Sequence, residues 1–203
     1  MRDRLRENLL RFTDRAFAMM SSPAGARVLD IGCGTGVPTV RLVELGVEEV
    51  VGMDTDVRAL RSLLDRASQR GVARRVSVCA GSADCVPFRD ASFDIVWCEG
   101  ALFVLGFRDS LRAWRRLVRP GGVLVVHDEA GDTTDKLRWA EAEGYAVSGW
   151  FPVGDEDWWE YYFEPASRRS AADLDDEIRT ELREARSHPE RLRSAFFVLK
   201  KRG

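Results

Sequence analysis

The 203-residue sequence predicts a single α/β domain, and three observations support this fold class. A chain of this length can form one full hydrophobic core but not two large ones. The apolar run from Val28 to Ile31 enters a glycine-rich loop, which is followed by a helix-compatible segment from Pro38 to Leu45. Further short apolar runs alternate with amphipathic segments along the chain, a pattern typical of a sheet with connecting helices.

The remaining elements follow from apolar periodicity and from turn residues. Leu5, Leu9, Phe12 and Ala16 share one helical face near the N-terminus. Asp56 is suited to the N-cap of the helix after the second strand. The predicted helices are 3–20, 38–45, 57–70, 110–118, 134–143 and 170–187, and the predicted strands are 28–31, 47–53, 75–79, 92–98, 122–126, 145–153 and 194–200, with a helix-breaking turn at 119–122.

The composition argues against several functional classes. The 31 basic and 33 acidic residues nearly balance, so no global charge favours nucleic acid or an acidic membrane. No apolar stretch approaches the roughly 18 residues of a membrane span, and the N-terminus lacks a signal-peptide core. Four cysteines without a C-x-x-C pair and only two histidines are poor material for a metal site or a disulfide framework. We expect a soluble cytoplasmic protein without a bound metal.

The loop after the first strand has glycines at three alternate positions, in the sequence Asp30-Ile31-Gly32-Cys33-Gly34-Thr35-Gly36. One interpretation is a tight turn between strand and helix that binds nothing. The other is a nucleotide site, where glycines admit the ligand and the helix N-terminus offers free N–H groups. The G-x-G-x-G spacing differs from the G-x-G-x-x-G of dinucleotide sites. Asp30 would oppose a diphosphate but suits a ligand that carries an ammonium group.

The segment from Val28 to Gly36, VLDIGCGTG, resembles motif I of the class I S-adenosylmethionine-dependent methyltransferases. This resemblance implies a Rossmann-like, doubly wound α/β fold with a seven-stranded, mostly parallel sheet and an antiparallel last strand. It places the last two strands as an antiparallel hairpin beside the fifth. The implied cofactor is S-adenosylmethionine, with its ammonium near Asp30 and its methionine end on the backbone from Gly32 to Gly36. Cys33 would be a small neutral residue whose backbone faces the ligand.

Two further acids are candidates for the nucleoside part of this cofactor. Asp54 ends the second strand about 20 residues beyond the loop, where a ribose-binding acid is expected, and Thr55 adjoins it. The alternative for Asp54 is a second helix-capping residue. By resemblance, Asp84 would bind the adenine amino group, and the adjoining Ser82 and Ala83 are further candidates for cofactor binding. The alternative for Asp84 is a loop residue that makes a local turn bond.

The fourth strand delivers Glu99 and Gly100 to its carboxyl end, where ligands bind in open α/β sheets. We therefore include both among the cofactor-binding residues. The pattern that begins at Glu99 and runs to Gly122 resembles a bacterial subset of small-molecule methyltransferases. Branches that methylate nucleic acids carry an N/D-P-P-Y/F segment here, which this chain lacks. The resemblance implies a small-molecule acceptor and no nucleic-acid partner.

Candidate general bases lie in the second half of the chain. His127 ends the fifth strand, although a lone histidine there is more often a structural hydrogen-bonding group. Tyr161 and Tyr162 belong to an aromatic cluster, residues 158–163, for which two interpretations stay open. The cluster either plugs the core or forms a substrate wall that attracts a cationic or methyl-bearing centre. It lies in an insertion, residues 154–193, between the sixth and seventh strands.

We interpret residues 1–203 as one methyltransferase domain with an N-terminal helical cap, residues 1–24. Phe12 and Phe17 are candidate lid residues of this cap. The predicted function is transfer of the methyl group of S-adenosylmethionine to a small-molecule acceptor, without membrane association. Two alternatives remain open: a catalytically silent S-adenosylmethionine-binding protein and, with less support, an NAD-dependent dehydrogenase.

Overall fold

A computed structural model describes residues 1–21, 24–170, 174–188 and 192–203 of the chain. Within these residues seven strands form one sheet in the order β3-β2-β1-β4-β5-β7-β6, and β7 runs antiparallel to both of its neighbours. The predicted mostly parallel sheet with an antiparallel last strand is confirmed. The strands are β1 Arg27–Ile31, β2 Glu49–Asp54, β3 Val76–Ala80, β4 Phe93–Glu99, β5 Val118–Glu129, β6 Tyr145–Val153 and β7 Ser194–Lys201.

Helices cover both faces of the sheet. They are α1 Arg2–Glu7, α2 Leu10–Ala18, α3 Val37–Glu44, α4 Val57–Gln69, α5 Phe107–Trp114 and α6 Thr133–Ala142. Successive strand residues such as Val28 and Leu29 belong to opposite cores, so the central strands are apolar on both sides. One core includes residues of α2, α3 and α4, among them Leu63, and the other includes residues of α5 and α6, among them Trp114. The sheet is therefore doubly wound, as predicted.

Most predicted boundaries agree within a few residues, but the N-terminal segment differs. The helix predicted at 3–20 is two helices separated at Asn8 and Leu9. At this interruption the Asn8 side chain donates a hydrogen bond to the carbonyl of Tyr161, 3.0 Å away. The two residues are far apart in sequence, so local patterns do not predict this contact. Asp56 accepts a hydrogen bond from the amide of Arg58 at 2.8 Å, which confirms its predicted role as the N-cap of α4.

The predicted break at residues 119–122 lies within β5. The helix before it, α5, begins and ends earlier than predicted, at Phe107–Trp114. Val118 pairs with Phe93 of β4, and pairing resumes only at Val123, so residues 119–122 form an irregularity between paired positions. Pro120 is tolerated there because it need not donate to a regular ladder.

The insertion folds as short helices against the N-terminal cap. Its elements are α7 Asp155–Trp158, a π-helical turn Trp159–Phe163, α8 Glu164–Ser167 and α9 Asp176–Ser187. Tyr162 and Phe163 are buried in an apolar cluster that also contains Leu5 of α1. The helix predicted at 170–187 is shorter in the structure, and residues 171–173 lie outside the described part of the chain. Part of the aromatic cluster therefore serves a small core. None of the helices in the described ranges is both long and apolar enough for a membrane crossing.

Candidate cofactor site

A central cavity lies at the carboxyl ends of β1, β4 and β5, the edge of the sheet where open α/β folds bind ligands. These strands contribute Asp30, Glu99 and His127 respectively. The structure thus brings together three predicted site residues that lie far apart in sequence. Gly32, Cys33 and Gly100, which were also predicted to bind the cofactor, line this cavity too.

Backbone conformation and close packing explain why the loop contains glycines. All three have positive φ, +72°, +53° and +79° at Gly32, Gly34 and Gly36, a conformation that favours glycine. A Cβ on Gly32 would lie 2.2 Å from the Cβ of Ala101. A Cβ on Gly36 would lie 2.1 Å from Cδ1 of Leu63. Close packing inside the protein thus adds to the backbone conformation as a reason for glycine at these two positions.

The amides of the loop form hydrogen bonds within the protein. Gly32 and Cys33 both donate to the carbonyl of Met53, at 2.7 and 3.1 Å. Gly34 donates to Oδ2 of Asp54 at 2.8 Å. The amides of Gly32, Cys33 and Gly34 are therefore occupied within the protein, and the predicted contact of the loop backbone with the cofactor stays a prediction. Buried backbone groups need partners, and the neighbouring strand β2 supplies them.

Asp30 and Glu99 are two carboxyl groups at one poorly solvated cavity. Asp30 is buried and accepts a hydrogen bond from Oγ1 of Thr39 at 2.5 Å. Oε1 of Glu99 accepts from Oγ1 of Thr13 at 2.9 Å and from Nε1 of Trp97 at 2.7 Å. Burial raises the pKa of each carboxyl to about 7, and the charge of a neighbouring acid adds to the effect. A bound cation would lower both pKa values, so the pair is suited to a positively charged ligand.

His127 is held between aromatic rings at the end of β5. It stacks on Phe196 with 4.3 Å between ring centroids, and on Trp158 with 6.0 Å. Its Nε2 lies 2.8 Å from Oγ of Ser194, which also accepts a hydrogen bond from Nε1 of Trp158 at 2.9 Å. Burial lowers the pKa of His127 to about 4, although Asp128 opposes this effect. The imidazole is therefore neutral at neutral pH, and its burial opposes protonation.

Lys136 contributes to this low pKa. Its Nζ donates to Asp128 and to the carbonyl of Glu129, and its charge lowers the pKa of His127. Lys136→Met is expected to raise that pKa above about 4, because the positive charge is lost while that of Asp128 remains. An NMR titration of the imidazole signals measures the change, with His188→Gln to assign the two histidines. An unchanged or lower pKa would contradict the electrostatic assignment.

A second cavity adjoins the first and shares Gly100, His127 and Trp158 with it. Phe103, whose side chain is 84% exposed, and Tyr162 are among its other lining residues. The aromatic cluster of the insertion thus serves two purposes, since it fills a small core and also forms a wall of this cavity. The core interpretation is confirmed for the buried Tyr162 and Phe163, and the substrate-wall interpretation stays a prediction.

The two tyrosines predicted as bases are placed differently. Tyr162 donates a hydrogen bond from its hydroxyl to Oε2 of Glu181 at 2.9 Å. Burial and the charge of Glu181 raise the pKa of Tyr162 to about 12, which makes it a poor proton acceptor at neutral pH. Tyr161 does not line either cavity, and the guanidinium of Arg11 lies 4.1 Å above its ring. His127 is the better placed of the predicted bases.

Comparison with known proteins identifies a methyltransferase domain. Residues 29–126 match the family model described as a methyltransferase domain. The 27-O-demethylrifamycin SV methyltransferase of Amycolatopsis mediterranei is 37% identical over 125 residues, which cover 61% of this chain and 46% of that protein. Residues 29–126 therefore form a methyltransferase domain similar to those of the class I S-adenosylmethionine-dependent methyltransferases.

Solved structures show the same methyltransferase fold. A methyltransferase from Geobacter sulfurreducens in complex with S-adenosyl-L-homocysteine has a TM-score of 0.71 at 22% identity, covering 97% of this chain and 91% of that one. The [4+2]-cyclase SpnF has a TM-score of 0.76 at 22% identity, covering 95% and 81%. At such identities the likeness concerns the fold alone. The chain spans about half the length of the curated relatives it matches, 46% and 53% for two of them.

Several residues predicted from the methyltransferase motifs do not line the central cavity. Asp54 bonds the amide of Gly34 at the end of β2, and the exposed Thr55 follows it. Asp84 is exposed in the loop after β3. The other predicted residues outside the lining are Gly34, Gly36, Ser82 and Ala83. These residues remain candidates for the nucleoside end because β2 and β3 extend the same edge of the parallel sheet.

The motifs did not reveal the residues that the flanking elements bring to the central cavity. Phe12, a predicted lid residue, lines the cavity, whereas Phe17 is buried in the core beside the sheet. The only sequence signal for these residues was the apolar face of the N-terminal cap helix. That pattern predicts that the face is buried but does not show what it packs against. The lining residues that the sequence did not reveal include Arg6, Leu9, Thr13, Val153 and Phe196.

Proposed function

We propose that this protein transfers the methyl group of S-adenosylmethionine to a small-molecule acceptor. The observation that carries the proposal is the cavity where Asp30 and Glu99, with pKa values raised to about 7, lie beside the glycine loop and His127. S-Adenosylmethionine has an ammonium and a sulfonium group and no phosphate, so its charge complements this acidic site. The match to the methyltransferase domain supports the same cofactor.

The cofactor supplies, when bound, a methyl group that the positive sulfonium already activates. The chain then has to align the acceptor and exclude water. We assign the ammonium to Asp30 and Glu99, the ribose hydroxyls to Asp54 and the adenine amino group to Asp84. Phe12 and other cap residues that line the cavity serve to exclude water.

We assign the second cavity to the acceptor because it meets the first at Gly100, His127 and Trp158. His127 is neutral at neutral pH and is assigned the proton that an acceptor hydroxyl, amine or carbon acid loses. The negative charge left on that acceptor would favour the protonated imidazole, which burial alone disfavours. Ser194 orients the imidazole through its contact with Nε2. This assignment makes His127 the general base for acceptors that must lose a proton.

Isothermal titration calorimetry with S-adenosylhomocysteine and with NAD tests the cofactor. We expect binding of S-adenosylhomocysteine and none of NAD, and the reverse result overturns the proposal. A transfer assay with labelled S-adenosylmethionine and a panel of phenolic, amine and enol acceptors tests turnover. Transfer to any of them supports an enzyme, whereas cofactor binding without transfer across the panel supports a catalytically silent binding protein.

Asp54→Asn is expected to weaken S-adenosylhomocysteine binding at least tenfold, about 1.4 kcal/mol. A carboxylate can accept hydrogen bonds from both ribose hydroxyls, whereas an amide presents one oxygen and an NH₂ group. Asp54 also accepts from the amides of Gly34 and Asp56, at 2.8 and 2.9 Å, so thermal unfolding is measured alongside calorimetry. Asp56→Asn is the matched control, since asparagine retains the N-cap of α4. Wild-type affinity in Asp54→Asn would remove Asp54 from the site.

A further inference from the structure

The side chain of Arg6 lies over the glycine loop. Its Nη1 is 3.5 Å from the place where a Cβ on Gly34 would lie, and the residue lines both cavities. The side chain is exposed, and it forms no hydrogen bond or ion pair with another residue in the described ranges. Its charge interacts at longer range with Asp3 and Glu99. A guanidinium with unused donors therefore faces the candidate cofactor site.

Neighbouring charges of α1 hold this helix on the loop. Asp3 accepts a hydrogen bond from Oγ1 of Thr35 at 2.6 Å and pairs with Nη2 of Arg66 at 2.5 Å. Glu7 pairs with Nη1 of the same arginine at 2.9 Å. These contacts fix the position of α1 without engaging Arg6, so its guanidinium stays available at the rim of the cavity.

The charges that line the central cavity are otherwise acidic. Arg6 is the only lysine or arginine along its wall within the described part of the chain, and Asp30 and Glu99 line the same cavity. The methionine end of S-adenosylmethionine is a zwitterion, with an ammonium and a carboxylate on one carbon. Asp30 and Glu99 suit the ammonium of the cofactor. The carboxylate of the cofactor, which would lie beside these two acids, needs a positively charged partner. Arginine presents a planar pair of N–H donors that matches a carboxylate.

We propose that Arg6 binds the carboxylate of the methionine end of the cofactor and thereby selects ligands that carry it. The inference rests on the proposed function, because it assumes the same cofactor. The other possible source of a carboxylate is the acceptor, since Arg6 also lines the second cavity. The cap, held on the loop by Asp3 and Glu7, then contributes directly to cofactor recognition.

Calorimetry with S-adenosylmethionine and with decarboxylated S-adenosylmethionine tests this proposal, since the two ligands differ only in the carboxylate. Wild-type protein should bind the complete cofactor about tenfold or more tightly than the decarboxylated form. Arg6→Gln should lose this preference, with weaker binding of the complete cofactor and little change for the other. Arg4→Gln, an exposed position of α1, is the matched control and should behave as wild type.

The outcomes separate this inference from the proposed function. Wild-type protein that binds neither ligand overturns the proposed function and the inference with it. If Arg6→Gln lowers the affinity for both ligands equally, the residue affects binding only by supporting the structure. That result overturns the inference alone. Unchanged binding of the complete cofactor in Arg6→Gln also overturns it.

Discussion

Replacing Gly32 by alanine is expected to abolish binding of S-adenosylhomocysteine and to destabilise the fold. The new Cβ would lie 2.2 Å from the Cβ of Ala101, an atom that moves only with its own backbone. The loops after β1 and β4 would have to separate, and these two strands carry Asp30 and Glu99. Overpacking and the positive φ together should cost about 3 kcal/mol in the free energy of unfolding.

Gly71→Ala is the matched control for this prediction. Gly71 has the same φ of +72°, but a Cβ there would meet nothing within 4 Å. It should cost only about 1 kcal/mol and leave the affinity unchanged. Denaturant unfolding measures the two stabilities, and calorimetry measures binding. Equal stabilities of Gly32→Ala and Gly71→Ala, or wild-type affinity in Gly32→Ala, would show that the contact between the two loops is not the reason for the glycine.

The affinity for S-adenosylhomocysteine is expected to rise steeply with pH as the medium passes through neutrality. Asp30 and Glu99 have pKa values of about 7, so below that pH they are largely protonated and attract an ammonium group weakly. Each carboxyl that must ionise reduces the affinity by up to about tenfold per pH unit on the acidic side. Calorimetry from about pH 5.5 to about pH 8, in buffers of different ionisation enthalpy, also measures the proton release that this coupling requires.

The stability of the ligand-free protein gives an independent check on the same two groups. A carboxyl whose pKa is raised in the folded state contributes stability that is full below its unfolded pKa and is lost as the pH rises through its folded pKa. For Asp30 this window runs from its ordinary value of 3.8 to about 7. The stability of Asp30→Asn relative to wild type should therefore increase across that window.

Asp65→Asn, a change at an exposed position of α4, is the control and should show no such trend. The side-chain amide introduced by Asp30→Asn keeps an oxygen that can accept from Thr39, so the variant is expected to fold. A stability difference between Asp30→Asn and wild type that does not depend on pH would contradict the raised pKa. Affinity for S-adenosylhomocysteine that does not change with pH would contradict the role of both carboxyl groups.

Local patterns predicted the elements that depend on local physics. Apolar runs and turn residues located the seven strands of the described structure within a few residues. Asp56 was identified as an N-cap because capping depends on a side chain and an amide two residues away. The interrupted cap helix and the irregular β5 were not predicted, because Asn8 bonds to Tyr161 and residues 119–122 depend on strand pairing.

The sequence by itself determined the fold class, the resemblance to methyltransferases and the acids at the ends of successive strands. These conclusions depend on short spacings and on the order of elements, which the linear chain contains. Only the tertiary structure decided that Gly32 packs on Ala101, that the amides of the loop bond to β2, and that Arg6 faces the cavity. Thr13 donates a hydrogen bond to Glu99, which lies 86 positions away in the sequence. Burial raises the pKa of Glu99, and this hydrogen bond opposes the increase. Burial and pairing depend on the complete fold, so no motif in the sequence could show them.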